Sequence, residues 1–150
     1  MTVAFLGAVE PSEARAAWTE ATRLAPAVGR PLQGGFVRVE PLGNPRRPSA
    51  LSALVGDGAE PLSELIQALQ APLLAAAGAP PETRVPLPHV TLARVQRRAS
   101  HSERREALRW AEALDISALR FSVSELALYT WAEDRRERLF RIVERLPLGR

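Results

Sequence analysis

The sequence contains no cysteine, which excludes disulfide frameworks, thiolate nucleophiles and cysteine-based zinc sites. It contains no lysine either: all 20 basic residues are arginine, set against 17 Asp and Glu, and Asn44 is the one asparagine. Ala, Leu, Arg and Pro are abundant instead, a bias that resembles translation from a GC-rich genome. That bias accounts for a pI near 10.8, because arginine stays charged where lysine titrates. Histidine occurs only at His89 and His101, so few acid–base schemes are open near neutral pH. No apolar run reaches the roughly 18 residues of a membrane span. The opening Met-Thr-Val-Ala-Phe-Leu-Gly lacks the basic and apolar regions of a signal peptide. A cytoplasmic protein without membrane association is the expectation.

What is present suits one domain. A chain of 150 residues with 46% hydrophobic and 25% charged residues can bury a core and is too short for two full domains. The net charge of +3 is unevenly placed: residues 1–90 hold 7 Arg against 8 acids, and residues 91–150 hold 13 Arg against 9. Such a bias fits a phosphate-bearing ligand, and it equally fits solvated Glu/Arg helix faces.

Residues 2–7 form a β-prone run ended by Gly7, and apolar residues at 14, 17, 18, 21, 24 and 25 then follow helical spacing after Ser12. Phe36 to Glu40 predicts a strand, the turn-rich 43–48 a reversal, and 49–55 its partner. Leu62, Leu65, Ile66, Leu69 and Leu73 predict a helix that Pro72 kinks or ends before Gly78. The Pro-rich 80–88 leads into a strand at 90–95. Ser100 with Glu103 is a capping box for a helix carrying Ala107, Leu108, Ala111 and Leu114 on one side. Strands at about 120–131 and 138–147 close the chain around a charged turn at 132–137. The order strand, helix, strand, strand thus occurs twice, from Thr2 and from Thr91, at an offset of 89 residues that sets Arg46-Arg47 on Arg135-Arg136. It suggests one domain, 1–150, built of two pseudo-repeats, about 1–57 and 58–150.

His101 lies at the polar start of a helix, where capping or solvation is its expected role. His89 differs. In Pro88-His89-Val90-Thr91-Leu92-Ala93-Arg94, strand alternation puts His89 and Thr91 on one face. Arg94, three residues past Thr91, falls on that face only if the strand is bulged or twisted. An imidazole, a hydroxyl and a guanidinium together serve proton transfer, hydrogen bonding to an oxyanion and charge neutralisation.

On these residues the sequence resembles the two-histidine phosphoesterases, and among them the RNA 2',3'-cyclic phosphodiesterases first described as 2'-5' RNA ligases. The second His-x-Thr motif of that family matches at His89 and Thr91, with the following Arg at Arg94. The first is similar from its third position onward, as Thr2-Val3-Ala4-Phe5-Leu6-Gly7, and similarity continues through Asn44-Pro45-Arg46-Arg47-Pro48, Leu128-Tyr129 and Pro147-Leu148. The resemblance implies an α+β fold, duplicated and two-lobed, with mainly antiparallel sheets flanking a central groove and helices packed outside. Its first strand and helix are missing here, and Met1 stands where the motif has its middle residue, so the start is expected upstream, with a GTG valine codon read as the start.

The resemblance further implies hydrolysis of 2',3'-cyclic phosphate ends to 2'-phosphates without metal or cofactor, and the reverse ATP-independent ligation. His89, Thr91 and Thr2 become the catalytic candidates, with Arg94 and Phe5 as substrate-binding ones. Phe5 either stacks on a base or packs, packing being the commoner role, and Tyr129 and Trp131 either line the groove or, again the commoner role, pack in the core. The partner is an RNA or nucleotide with a cyclic phosphate end, bound by a monomer. Without the first histidine, weak activity and marginal stability are expected, and the alternative is a binding module that keeps the groove but not the turnover.

Overall fold

The capping boxes, the apolar stripes and the Gly/Pro breaks settle the helices. In the computed structural model, which describes all residues except Arg30, Pro45, Arg46, Arg135, Glu137, Arg138 and Arg150, three α-helices alternate with six strands. Helix α1 (Pro11–Leu24) opens with Glu10 and Glu13 in a capping box, the Glu10 N–H donating to the Glu13 carboxylate at 2.7 Å. A 3-10 turn, Ala25–Val28, follows. Strands β1 (Leu32–Asn44) and β2 (Arg47–Val55) form the expected hairpin, longer than its apolar centre suggests. Helix α2 (Ala59–Ala76) runs through Pro72 and ends before Gly78, whose φ of +61° suits glycine. Strand β3 (His89–Arg94) and helix α3 (His101–Ala113) come next. In α3, Ser100 accepts from the Glu103 N–H, and Glu103 accepts in return from the Ser100 N–H at 2.6 Å.

Three expectations about strands and their faces fail. Residues 2–7 are not a strand: Val3 and Ala4 pack on an apolar cluster instead, and the Val3 carbonyl accepts from Gln70 Nε2 rather than from a strand neighbour. The predicted strand at 120–131 is two, β4 (Arg120–Val123) and β5 (Glu125–Trp131), in different sheets. Ser124 separates them, and its carbonyl accepts from the Leu148 N–H at 2.8 Å, beyond the end of β6 (Phe140–Pro147). The third concerns Tyr129 and Trp131 of β5, which are exposed rather than in the core, Trp131 by 53%. The proposed repeat pairing of Arg46 with Arg135 lies outside the described residues.

The fold is α+β, and the strand pairings resolved residue by residue are antiparallel. One compact unit comprises residues 1–2, 33–64 and 85–121. Its strands belong to the sheet ordered β3-β2-β1-β4, and α3 lays Ala107, Leu108 and Ala111 on Val39, Leu51 and Ala53. Gly34 is required here, since a Cβ on it would stand 2.4 Å from the Phe121 ring and 2.7 Å from the Asp57 carbonyl. The other unit comprises residues 3–32, 65–84 and 122–150. There Ala21 and Ala25 pack with Leu69, Leu73, Leu126 and Leu148 under the two-stranded sheet β5-β6.

Candidate functional site

Four prolines between residues 80 and 88 keep the chain extended and withhold backbone donors. The segment is tied down where it can accept: Ser63 Oγ donates to the Pro86 carbonyl at 3.2 Å, and the Val55 N–H donates to that of Pro88 at 3.1 Å. The second bond fixes where β3 begins, with His89 as its first residue.

The register of β3 on β2 decides what shares a face. His89 pairs with Leu54 and Thr91 with Ser52, but Ala93 pairs with Leu51 and Arg94 with Ala50, so Leu92 is an extra residue, a β-bulge. Directly paired residues lie on the same side of a sheet. His89, Thr91 and Arg94 therefore share the side of Leu54, Ser52 and Ala50. The opposite side carries Leu51, Ala53 and Ala93, which belong to the core under α3. The bulge supplies the phase shift that the three-residue spacing from Thr91 to Arg94 requires. Across β1, Arg38 pairs with Leu54 and Glu40 with Ser52, which adds an ion pair of 2.5 Å from Arg38 Nε to Glu40 to the same side.

His89 is half-buried and its Nδ1 lies 2.7 Å from the Leu87 carbonyl. A carbonyl oxygen only accepts, so Nδ1 carries the proton and Nε2 is the atom left for chemistry. Thr91 is exposed, with its hydroxyl 3.4 Å from that of Ser52, itself fully buried. Arg94 ends the strand, exposed. Thr2 is exposed, outside any strand, in the same compact unit as His89. Phe5 belongs to the other unit and is 75% exposed, so the packing expected of it does not occur. His101 is the first residue of α3, beside the Ser100 cap. Among the described residues no group of His, Asp and Glu is placed to hold a metal ion.

Sequence reasoning passed over Ser52 and the Arg38–Glu40 pair. The signal was there: Ser52 is the one polar residue in Ala50-Leu51-Ser52-Ala53-Leu54-Val55, and Arg38 and Glu40 alternate with Val37 and Val39. Together these side chains offer a proton-transfer nitrogen, a hydroxyl donor held from behind by a second hydroxyl, and a cation, on one side of one sheet.

Three comparisons bear on this arrangement. A family model described as the 2'-5' RNA ligase superfamily matches residues 1–135. Among solved structures, TT0787 of Thermus thermophilus superposes with a TM-score of 0.70 at 21% identity, over 97% of this chain and 75% of that one. The apo form of Escherichia coli LigT superposes with a TM-score of 0.59 at 18% identity, over 99% of this chain and 75% of that one. No curated protein matches the chain significantly.

Proposed function

The chain belongs to the 2'-5' RNA ligase superfamily, and from that premise we propose that it hydrolyses the 2',3'-cyclic phosphate ends of RNA to 2'-phosphates. The observation that carries the reading is the bulge at Leu92, which brings His89, Thr91 and Arg94 to one side of β3. In the reaction, water adds to phosphorus and the bond from phosphorus to the ribose 3'-oxygen breaks. One proton leaves the water and one reaches the departing oxygen. His89 carries one of these transfers: neutral, its Nε2 accepts a proton, and protonated, the same nitrogen donates one, with Nδ1 bonded to the Leu87 carbonyl in both forms. Thr91 and Thr2 donate to non-bridging oxygens as charge builds, and Arg94 neutralises the phosphate. With a 5'-hydroxyl in place of water as the nucleophile, the same proton transfers and the same P–O3' cleavage join the two ends in a 2'-5' phosphodiester without ATP. The proposal includes a single cytoplasmic domain of two related halves, about 1–57 and 58–150.

A second reading is favoured by one fact: of the two histidines only His89 is on this face, since His101 opens α3. On that reading the chain binds cyclic or 2'-phosphorylated ends and turns them over poorly. Incubation with 2',3'-cyclic CMP, followed by chromatography against 2'-CMP and 3'-CMP standards, separates the two. Release of 2'-CMP that His89→Ala abolishes supports hydrolysis. Saturable binding without product, unchanged in His89→Ala, supports the binding module and overturns the enzyme.

A further inference from the structure

Among the described residues Ser52 is the one buried polar side chain, with no exposure at all. It stands in Ala50-Leu51-Ser52-Ala53-Leu54-Val55, the apolar half of β2. Ala50 and Ala53 are buried in the same strand, so packing alone does not call for a hydroxyl there. A serine hydroxyl carries one proton and two lone pairs, and burying it without a partner is destabilising. Its partner is the Thr91 hydroxyl, 3.4 Å away across the β2–β3 pairing. On the other flank Ser52 pairs with Glu40 of β1, whose carboxylate is taken by Arg38. Thr91 itself is exposed. Its hydroxyl thus has Ser52 behind it and open space in front.

Burial decides which of the two donates. Were Thr91 the donor, the Ser52 proton would be stranded where water does not reach, and Thr91 would have no proton left for a ligand. With Ser52 as donor, its proton is satisfied and the Thr91 proton is turned to the exposed side. We propose that Ser52 is a positioning residue for Thr91: it donates to Thr91 Oγ1, holds that side chain in one χ1 rotamer and aims its proton at a phosphate oxygen. The role rests on the function proposed above, in which Thr91 donates to a non-bridging oxygen. A hydroxyl that accepts one hydrogen bond is polarised to donate another more strongly. The 3.4 Å separation exceeds the roughly 2.5–3.0 Å of a closed O–H···O bond, so the pair is loose at rest and closes as negative charge grows on the oxygen that Thr91 meets. An interaction that strengthens in the transition state raises kcat rather than ground-state binding.

The test is a double-mutant cycle of Ser52→Ala and Thr91→Val, the second of which deletes the Thr91 hydroxyl at constant shape. With 2',3'-cyclic CMP, Ser52→Ala is expected to lower kcat about two- to tenfold, the worth of one hydrogen bond, and to leave KM within about twofold. Added to Thr91→Val it should lower kcat no further, because Ser52 acts through the hydroxyl that is gone. Melting curves read the same pair without substrate. Thr91→Val strands the buried Ser52 hydroxyl and should lower Tm by about 2–12 °C, and adding Ser52→Ala should recover most of that loss. Three-bond NMR couplings to the Thr91 methyl, also without substrate, should report one χ1 rotamer in wild type and averaged rotamers in Ser52→Ala. Wild-type kcat in Ser52→Ala overturns the positioning role. So does a loss as large in the Thr91→Val background as outside it, or a Thr91 rotamer that survives Ser52→Ala. If wild type releases no 2'-CMP while Ser52 still sets the Thr91 rotamer, the phosphodiesterase is overturned and the hydroxyl pair stands.

Discussion

Replacing His89 in three ways separates its two ring nitrogens. Nδ1 anchors the ring to the Leu87 carbonyl at 2.7 Å, and Nε2 is the atom assigned to proton transfer. In His89→Asn the amide NH2 stands where Nδ1 stood and keeps the anchor, but nothing titrates. In His89→Gln the amide reaches the position of Nε2 and leaves the anchor. In His89→Ala both are lost. Loss of one acid–base group costs about 10²–10⁴-fold in rate, or about 2.7–5.4 kcal/mol of barrier, and all three variants should show it. The anchor is a single hydrogen bond at a half-buried position, with a net contribution of about 0.5–1.5 kcal/mol. For a chain of this length that lowers Tm by about 1–6 °C, in His89→Ala and His89→Gln but not in His89→Asn. Initial rates of 2'-CMP formation and melting curves in one buffer measure both. A His89→Asn rate within about threefold of wild type would refute proton transfer at Nε2. A His89→Asn protein that melts as early as His89→Ala would refute the anchor.

Other consequences are as direct. Arg94→Ala should raise KM for the cyclic nucleotide about tenfold or more while leaving Tm within about 2 °C, because the side chain is exposed and bears on phosphate rather than packing; steady-state kinetics decide it. Leu51→Ala, at a position 2% exposed in the cluster under α3, should cost about 2–5 kcal/mol in urea unfolding. Gly34→Ala drives a methyl into the Phe121 ring and the Asp57 carbonyl and should cost about 1–3 kcal/mol by the same measurement. The Glu103 carboxyl is held below its ordinary value, chiefly by the Ser100 hydroxyl and then by the Ser100 backbone N–H. A depressed carboxylate stabilises above its unfolded pKa, and that contribution is lost as pH falls through the folded one. Melting curves of Glu103→Gln should therefore fall less steeply than wild type as pH drops below the ordinary glutamate range, and Ser100→Ala should cost about 0.5–2 kcal/mol at neutral pH.

Helices were legible because their signals are local. Ser100 and Glu103 fix the start of α3 within four residues, and the leucine stripe of α2 outweighs the donor missing at Pro72. Strands were less so, since a strand exists only through its partner. Residues 2–7 have strand composition, yet the Val3 carbonyl is satisfied by Gln70. Likewise the apolar alternation at 120–131 cannot show that Ser124 divides two sheets. His89 and Thr91 could be placed together by alternation, whereas Arg94 needed the pairing to β2 before its side was known. Tyr129 and Trp131 looked like core because large rings usually are. Which face of β5 is covered depends on Leu69 and Leu73, more than 50 residues earlier in the chain.

The extra residue at Leu92 makes β3 behave as two reading frames spliced together. Before it, odd positions point to the side of His89; after it, even positions do, while Val90, Ala93 and Val95 keep the hydrophobic frame continuous across the splice. A variant library that enforces strict alternation from His89 onward would therefore direct a polar residue at position 93 toward Leu51 and an apolar one to the place of Arg94. Removing Leu92, by contrast, merges the frames and leaves all three polar side chains on one side. In this strand a single deletion respects the pattern of faces better than several conservative-looking substitutions would.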